Sequence, residues 1–159
     1  MFQNNKNLKS IKYYGDNFKW LSITGIEEVV MHGVSTYLAI DYVASQIVEY
    51  DNNWIEKRFQ SLPLPFTRSI KYVEGNLYLL SSQYFYRTNL NFEVQYKYNY
   101  NWFFVFAYDS INSKFYTTTQ KSGVILVFDK FCSYLNRLDM GFPVEGIGFY
   151  DNKLYVGGE

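Results

Sequence analysis

The sequence predicts an all-β fold, and three features predict it. Aromatic residues fill 21% of the 159 positions, among them 17 Tyr and 14 Phe, a bias toward side chains that pack on pleated strands rather than on helices. A Tyr inside an apolar run, preceded by a short polar or Gly-containing turn, recurs at Tyr37, Tyr78, Tyr116 and Tyr155, in steps of 41, 38 and 39 residues. The strand holding such a Tyr is apolar on both faces: Leu77 and Leu79 point one way, Tyr78 and Leu80 the other, and Leu154, Tyr155 and Val156 continue the trend. A sheet with two apolar faces needs a neighbour on each side, and four-stranded sheets of about 40 residues set radially supply it. The expected architecture is therefore a β-propeller of four-stranded antiparallel blades, about four repeats. A sandwich or stacked β-solenoid competes, but two stacked sheets leave one face of each wet and demand cleaner polar alternation.

Each repeat then justifies itself in order. The repeats span approximately 24–62, 63–101 and 102–142, with 143–159 supplying two strands and 11–23 read as the other two. A first strand such as "EEVVMH" is followed by a turn and the Tyr-bearing strand, with turn residues at Gly75-Asn76, Asn112-Ser113 and Asp151-Asn152. A second hairpin turns at Asp51–Asn53, Thr88–Asn91 and Asp129–Lys130, and the strand after it opens near an aromatic, Trp54, Phe92 or Tyr134. Pro63, Pro65 and Pro143 fall between repeats, where no ladder donor is needed. The two incomplete ends are complementary. They fit a fourth blade closed by N-terminal strands pairing with the C-terminal half-blade, and equally a segment of a longer propeller. A closed ring is expected to be monomeric and an open arc to self-associate through its bare strand.

"FPVEGIGFYDNKLYVGG" resembles the NHL-repeat pattern, in which Pro and a Gly-Ile step lead into an inner strand, a turn and a second strand ending in Tyr-Val; Pro143, Gly146, Ile147, Leu154, Tyr155 and Val156 carry it. "YLAIDYVASQIVEYD" is similar to the other half, with Asp41 ahead of Ile47, Val48, Tyr50 and Asp51, and "GVILVFD" has the same cadence. The resemblance covers nearly the whole chain and implies a propeller, usually of six blades in that family.

Chemistry is sparse by comparison. Fifteen Lys+Arg balance fifteen Asp+Glu, so no basic field draws a phosphate backbone, and nucleic acid is not an expected partner. No run of about 18 apolar residues and no apolar stretch of signal-peptide length occurs, so a soluble, non-membrane protein is expected. Cys132 is the only cysteine, which excludes an internal disulfide and a thiolate cluster and makes it a core thiol. His32 is the only histidine and lacks partners at ligand spacing, so it reads as a turn residue rather than a metal ligand. Glu27 and Glu28 are adjacent on a strand, so their carboxylates diverge and do not form an acid–base pair. "QYKYNYNWFF" alternates Tyr96, Tyr98 and Tyr100 with polar residues; it reads as an outer strand plus a loop in preference to a stacking platform.

No catalytic residue, metal site or cofactor is therefore assigned. Placed in register with Tyr72, Tyr108 and Tyr150, the entrances of the first strands fall near Glu27, Arg68, Trp102 and Glu145, a mixed ring suited to gripping a polar ligand at the channel or rim. The expected function is a non-catalytic scaffold binding a protein or a small polar ligand. The alternatives are a metal-dependent propeller hydrolase or lyase, and a propeller fragment without activity of its own.

Overall fold

The computed structural model of the chain describes residues 23–120 and 122–158. The described residues hold fourteen strands and no helix. The chain divides into two compact units, one ending at Leu62 and the other beginning at Pro63. Residues 11–22, read from sequence as two strands of a closing blade, lie outside the described residues, and Ile23 belongs to the first strand.

The first unit contains one sheet of β1 (Ile23–Met31), β2 (Val34–Asp41), β3 (Gln46–Tyr50) and β4 (Glu56–Ser61), hydrogen-bonded in that order. The second holds a sheet of β5 (Thr67–Val73), β6 (Asn76–Ser81), β7 (Tyr84–Thr88) and β8 (Val94–Asn99), and one of β9 (Phe103–Asp109), β10 (Lys114–Thr119), β11 (Val124–Phe128) and β12 (Tyr134–Asp139), each again in chain order. It also holds the two-stranded β13 (Val144–Tyr150) and β14 (Lys153–Gly158). Every neighbouring pair is antiparallel.

Both faces of the second strand are buried, as expected. Tyr78 and Leu80 pack with Phe85 against Phe103, Phe115, Leu126 and Phe128 of the next sheet, while Leu77 and Leu79 are fully buried on the opposite face. The rings interlock: Tyr78 lies 4.2 Å and Phe85 5.3 Å from Phe115, and Phe85 lies 4.9 Å from Phe128. Burying each such Phe is worth about 1.5–3 kcal/mol, and each ring pair adds about 0.5–1.5 kcal/mol. Polar tips are satisfied across the same contact, since the Tyr78 hydroxyl and the Arg87 guanidinium both donate to the Lys130 carbonyl, at 2.8 and 3.1 Å. The next contact stacks Tyr116 on Phe149, ring planes 5° apart, where β13 lies beside β9. On β14 the trend toward double burial stops, and Tyr155 is 53% exposed.

Three sequence-level alignments need correction. The ladders equate Tyr78, Tyr116 and Tyr155, which pair with Lys71, Ala107 and Gly148, with Leu38 opposite Glu27; Tyr37 is one place early. A single-residue slip sends a side chain to the other face, and Tyr37 indeed matches Leu77 and Phe115, stacking on Trp54 at 4.2 Å. Secondly, the β5–β6 turn is Glu74-Gly75, with Asn76 already in the strand. Thirdly, the β11–β12 turn places Cys132, not Tyr134, in the slot of Trp54 and Phe92.

That slot is the most regular feature of the molecule. Asp51, Asn89 and Asp129 each open a turn in which the side-chain oxygen accepts the N–H groups two and four residues on, at 2.8–3.0 Å. The backbone carbonyl of the same residue accepts the N–H of the residue three on. That third residue is driven into the left-handed region, φ being 62° at Trp54, 62° at Phe92 and 57° at Cys132. A non-glycine residue there costs about 1–2 kcal/mol, which burial offsets: Phe92 is 7% and Cys132 3% exposed.

Candidate functional site

The segments joining one sheet to the next are held from both sides. Tyr100 N–H donates to the Gln83 carbonyl at 2.9 Å, Phe103 N–H to Ser82 at 3.1 Å, and Gln120 N–H to the Trp102 carbonyl at 2.7 Å. The connector 100–102 is thus clamped between the β6–β7 and β10–β11 turns. The clamp holds Trp102 at φ 67° with 65% of its surface exposed. Its equivalent one sheet earlier, Phe66, has φ 60°, is 49% exposed, and accepts the Ser82 N–H.

Beside Trp102 opens a cleft of about 490 Å³, walled on one side by Asn99, Tyr100 and Asn101 and on the other by Thr119, Gln120 and Ser122. Tyr100 rests on the buried Phe103 ring at 5.6 Å, and Ser122 is fixed by accepting the Val124 N–H at 3.0 Å. Across the same turn lies a second cleft of about 320 Å³, formed by Gly123 and Val124 against Asp139, Gly141, Phe142 and Pro143. Gly123 is required there: a Cβ would sit 2.7 Å from the Phe142 carbonyl oxygen, while Val144 N–H reaches the Ser122 carbonyl at 3.0 Å and Met140 N–H the Gly123 carbonyl at 2.8 Å.

The ring expected from sequence does not share one register. Arg68 and Glu145 do occupy the same place, the unmatched residue of a bulge at the start of β5 and β13. Trp102 lies two residues ahead of that position, and Glu27 three residues beyond it, opposite Leu38. Phe149, not Tyr150, matches Tyr72 and Tyr108 in the ladders, which brings Glu145 level with Arg68 and leaves Trp102 and Glu27 out of line. Glu28 pairs opposite Tyr37 and accepts the Ser35 hydroxyl; Glu27, adjacent on the strand, pairs opposite Leu38. His32 sits exposed in the β1–β2 turn at φ 51°. "QYKYNYNW" is an outer strand followed by the clamped connector. The partners that complete the cleft, Gln120 and Ser122, come from a turn about twenty residues away, and no local pattern marked them.

The strongly displaced titrations belong to the scaffold. Burial pushes the Cys132 thiol up to about 12. Burial also raises the Tyr86 hydroxyl, which hydrogen-bonds Thr67 Oγ1 at 2.7 Å. Burial pushes the Asp109 carboxyl upward, but hydrogen bonds from Asn112 and Ile111 outweigh it and hold the group below its usual value. Among the described residues, no group of three or more His, Cys, Asp or Glu is disposed to hold a metal ion, and no helix is long and apolar enough to cross a membrane.

No family model and no curated protein matches the sequence. The structure, however, is similar to Raptor from Chaetomium thermophilum (15% identity, 84% of this chain, TM-score 0.69), to the WD40 domain of Neurospora crassa Pan2 (9%, 86%, 0.66) and to streptogramin B lyase (13%, 86%, 0.68). The fold is a β-propeller. The chain spans 13%, 45% and 48% of those three chains, and each four-stranded sheet is one blade, with the clefts lying between blade connectors and the β10–β11 turn of the third blade.

Proposed function

We propose that this chain is an NHL-like propeller scaffold that binds a ligand without catalysis, through the cleft at Trp102. One observation carries the reading: a large aromatic side chain is held in the left-handed region by backbone clamps on both sides, yet left exposed. Strain of about 1–2 kcal/mol in a bulky residue persists only where the surroundings impose it, and such residues concentrate at ligand clamps. In the buried slots packing offsets the strain; at Trp102 a ligand is the natural counterpart, since aromatic anchors dominate binding surfaces. The test is a survey of immobilised peptides and saccharides with the wild type and Trp102→Ala. Binding that disappears in the variant while its melting temperature stays unchanged supports the reading; a survey identical in the two proteins contradicts it.

A second reading, a metal-dependent propeller lyase, draws support from the structural likeness to streptogramin B lyase. Glu27 and Glu145 are the acidic members of the ring expected from sequence. A cation bound only by the folded state raises stability, so melting in excess Ca²⁺ and after EDTA decides it: an unchanged transition in both removes this reading.

A further inference from the structure

We propose that the ligand of the Trp102 cleft is a neutral oligosaccharide, stacked on the indole and continuing over the Ser122–Gly123 ridge into the second cleft; this rests on the binding reading above. The chemistry of the wall selects the class. The described residues that line the first cleft with Trp102 present the amides of Asn99, Asn101 and Gln120 and the hydroxyls of Tyr100, Thr119 and Ser122, and none of them carries a charge. Amides and hydroxyls both donate and accept hydrogen bonds, which suits sugar hydroxyls that do the same. A nucleic acid calls instead for a basic field, whereas the whole chain has formal net charge 0. A folded protein partner is met by a broad surface of about 800 Å²; a concave cleft of about 490 Å³ suits a slender ligand. The flat indole, its backbone already fixed, offers an apolar face to the C–H side of a pyranose ring.

Length follows from the second cleft. Thr119, Gln120 and Ser122 line the first cleft and Gly123 and Val124 the second, so one turn contributes to both. The second adds Phe142 and Pro143 as apolar surface and the carboxylate of Asp139, ion-paired with Arg137 at 2.7 Å, as a hydrogen-bond acceptor. A chain of several sugar units that occupies both binds more tightly than a two-unit fragment.

The experiment titrates the protein with maltohexaose, cellohexaose and chitohexaose, with a heparin hexasaccharide as anionic control, reading tryptophan emission and calorimetry. Saturable binding of at least one neutral hexasaccharide is expected, weakened about tenfold or more in Trp102→Ala, partly retained in Trp102→Phe, and weaker for the matching disaccharide. Unchanged melting of both variants shows that the loss is not unfolding. Absence of binding to all three neutral chains, binding to heparin alone, or equal binding by Trp102→Ala overturns the saccharide assignment; equal affinity for dimer and hexamer overturns occupancy of the second cleft. Trp102-dependent binding to peptides without any saccharide binding removes this assignment and leaves the scaffold reading standing. Loss of both removes both.

Discussion

Two kinds of position in this propeller hold bulky residues in the left-handed region, and their fates differ. In the third-to-fourth-strand turns, Phe92 and Cys132 are driven to φ 62° and 57° by the Asx turn and then buried. In the connectors, Phe66 and Trp102 take φ 60° and 67° under backbone clamps and remain 49% and 65% exposed. The same local strain is repaid by packing in one place and left open in the other. Backbone geometry by itself therefore separates neither structural from functional residues; burial does.

The comparison breaks most visibly at its buried arm. Phe92→Ala should lower stability by about 3–5 kcal/mol, the usual range for a buried Phe, whereas Trp102→Ala should stay within about 0.5 kcal/mol of the wild type; urea unfolding measures both. Next in size is the turn that creates the strain. Asp129→Ala leaves the Phe131 and Ser133 N–H groups without their acceptor, an expected loss of about 1–3 kcal/mol. Asn89→Asp keeps the acceptor but sets a second carboxylate where Asn89 Nδ2 now donates to Glu93, so its smaller loss should shrink as salt is added.

Much of the fold was legible in the sequence because hairpin residues and doubly apolar second strands are local signals. The slip at Tyr37 was not, for a physical reason: when both faces of a strand are apolar, alternation no longer reports register, and "TYLAI" reads equally well one place over. The Cys132 slot was hidden by looking for an aromatic, although Asp or Asn three residues earlier marks all three turns. In the cleft, Trp102 was reached from a mistaken register, and Gln120 and Ser122 stayed invisible because a non-local turn brings them there. The NHL resemblance pointed to the propeller, the level at which the structural likeness speaks.

A chemical prediction sharpens the buried arm. With its thiol pushed up to about 12 by burial, Cys132 should resist a disulfide reagent at pH 8 in the folded protein and react fully in denaturant. The sign for stability follows: the unfolded thiol ionises near pH 8.5–9 and the folded one far above it, so this contribution is intact below about pH 8.5 and fades as pH rises toward 12. Asp51 and Asp109 act oppositely. Backbone hydrogen bonding, led by Ile55 N–H, lowers Asp51, and hydrogen bonds to Asp109 outweigh its burial; the stability they add is present above the ordinary carboxylate value of 3.8 and is lost as pH falls through their lower folded values. A melting profile against pH should decline below about pH 4 and again above about pH 9.

The most direct measurement sets Trp102→Gly beside Phe92→Gly in one urea series. Glycine relieves left-handed strain at both positions, so Trp102→Gly should unfold at the wild-type midpoint or above it, while Phe92→Gly loses its packing and unfolds several kcal/mol lower. Equal large losses in the two variants would show that Trp102 holds the propeller together, and that the cleft beside it is not a site kept for a ligand.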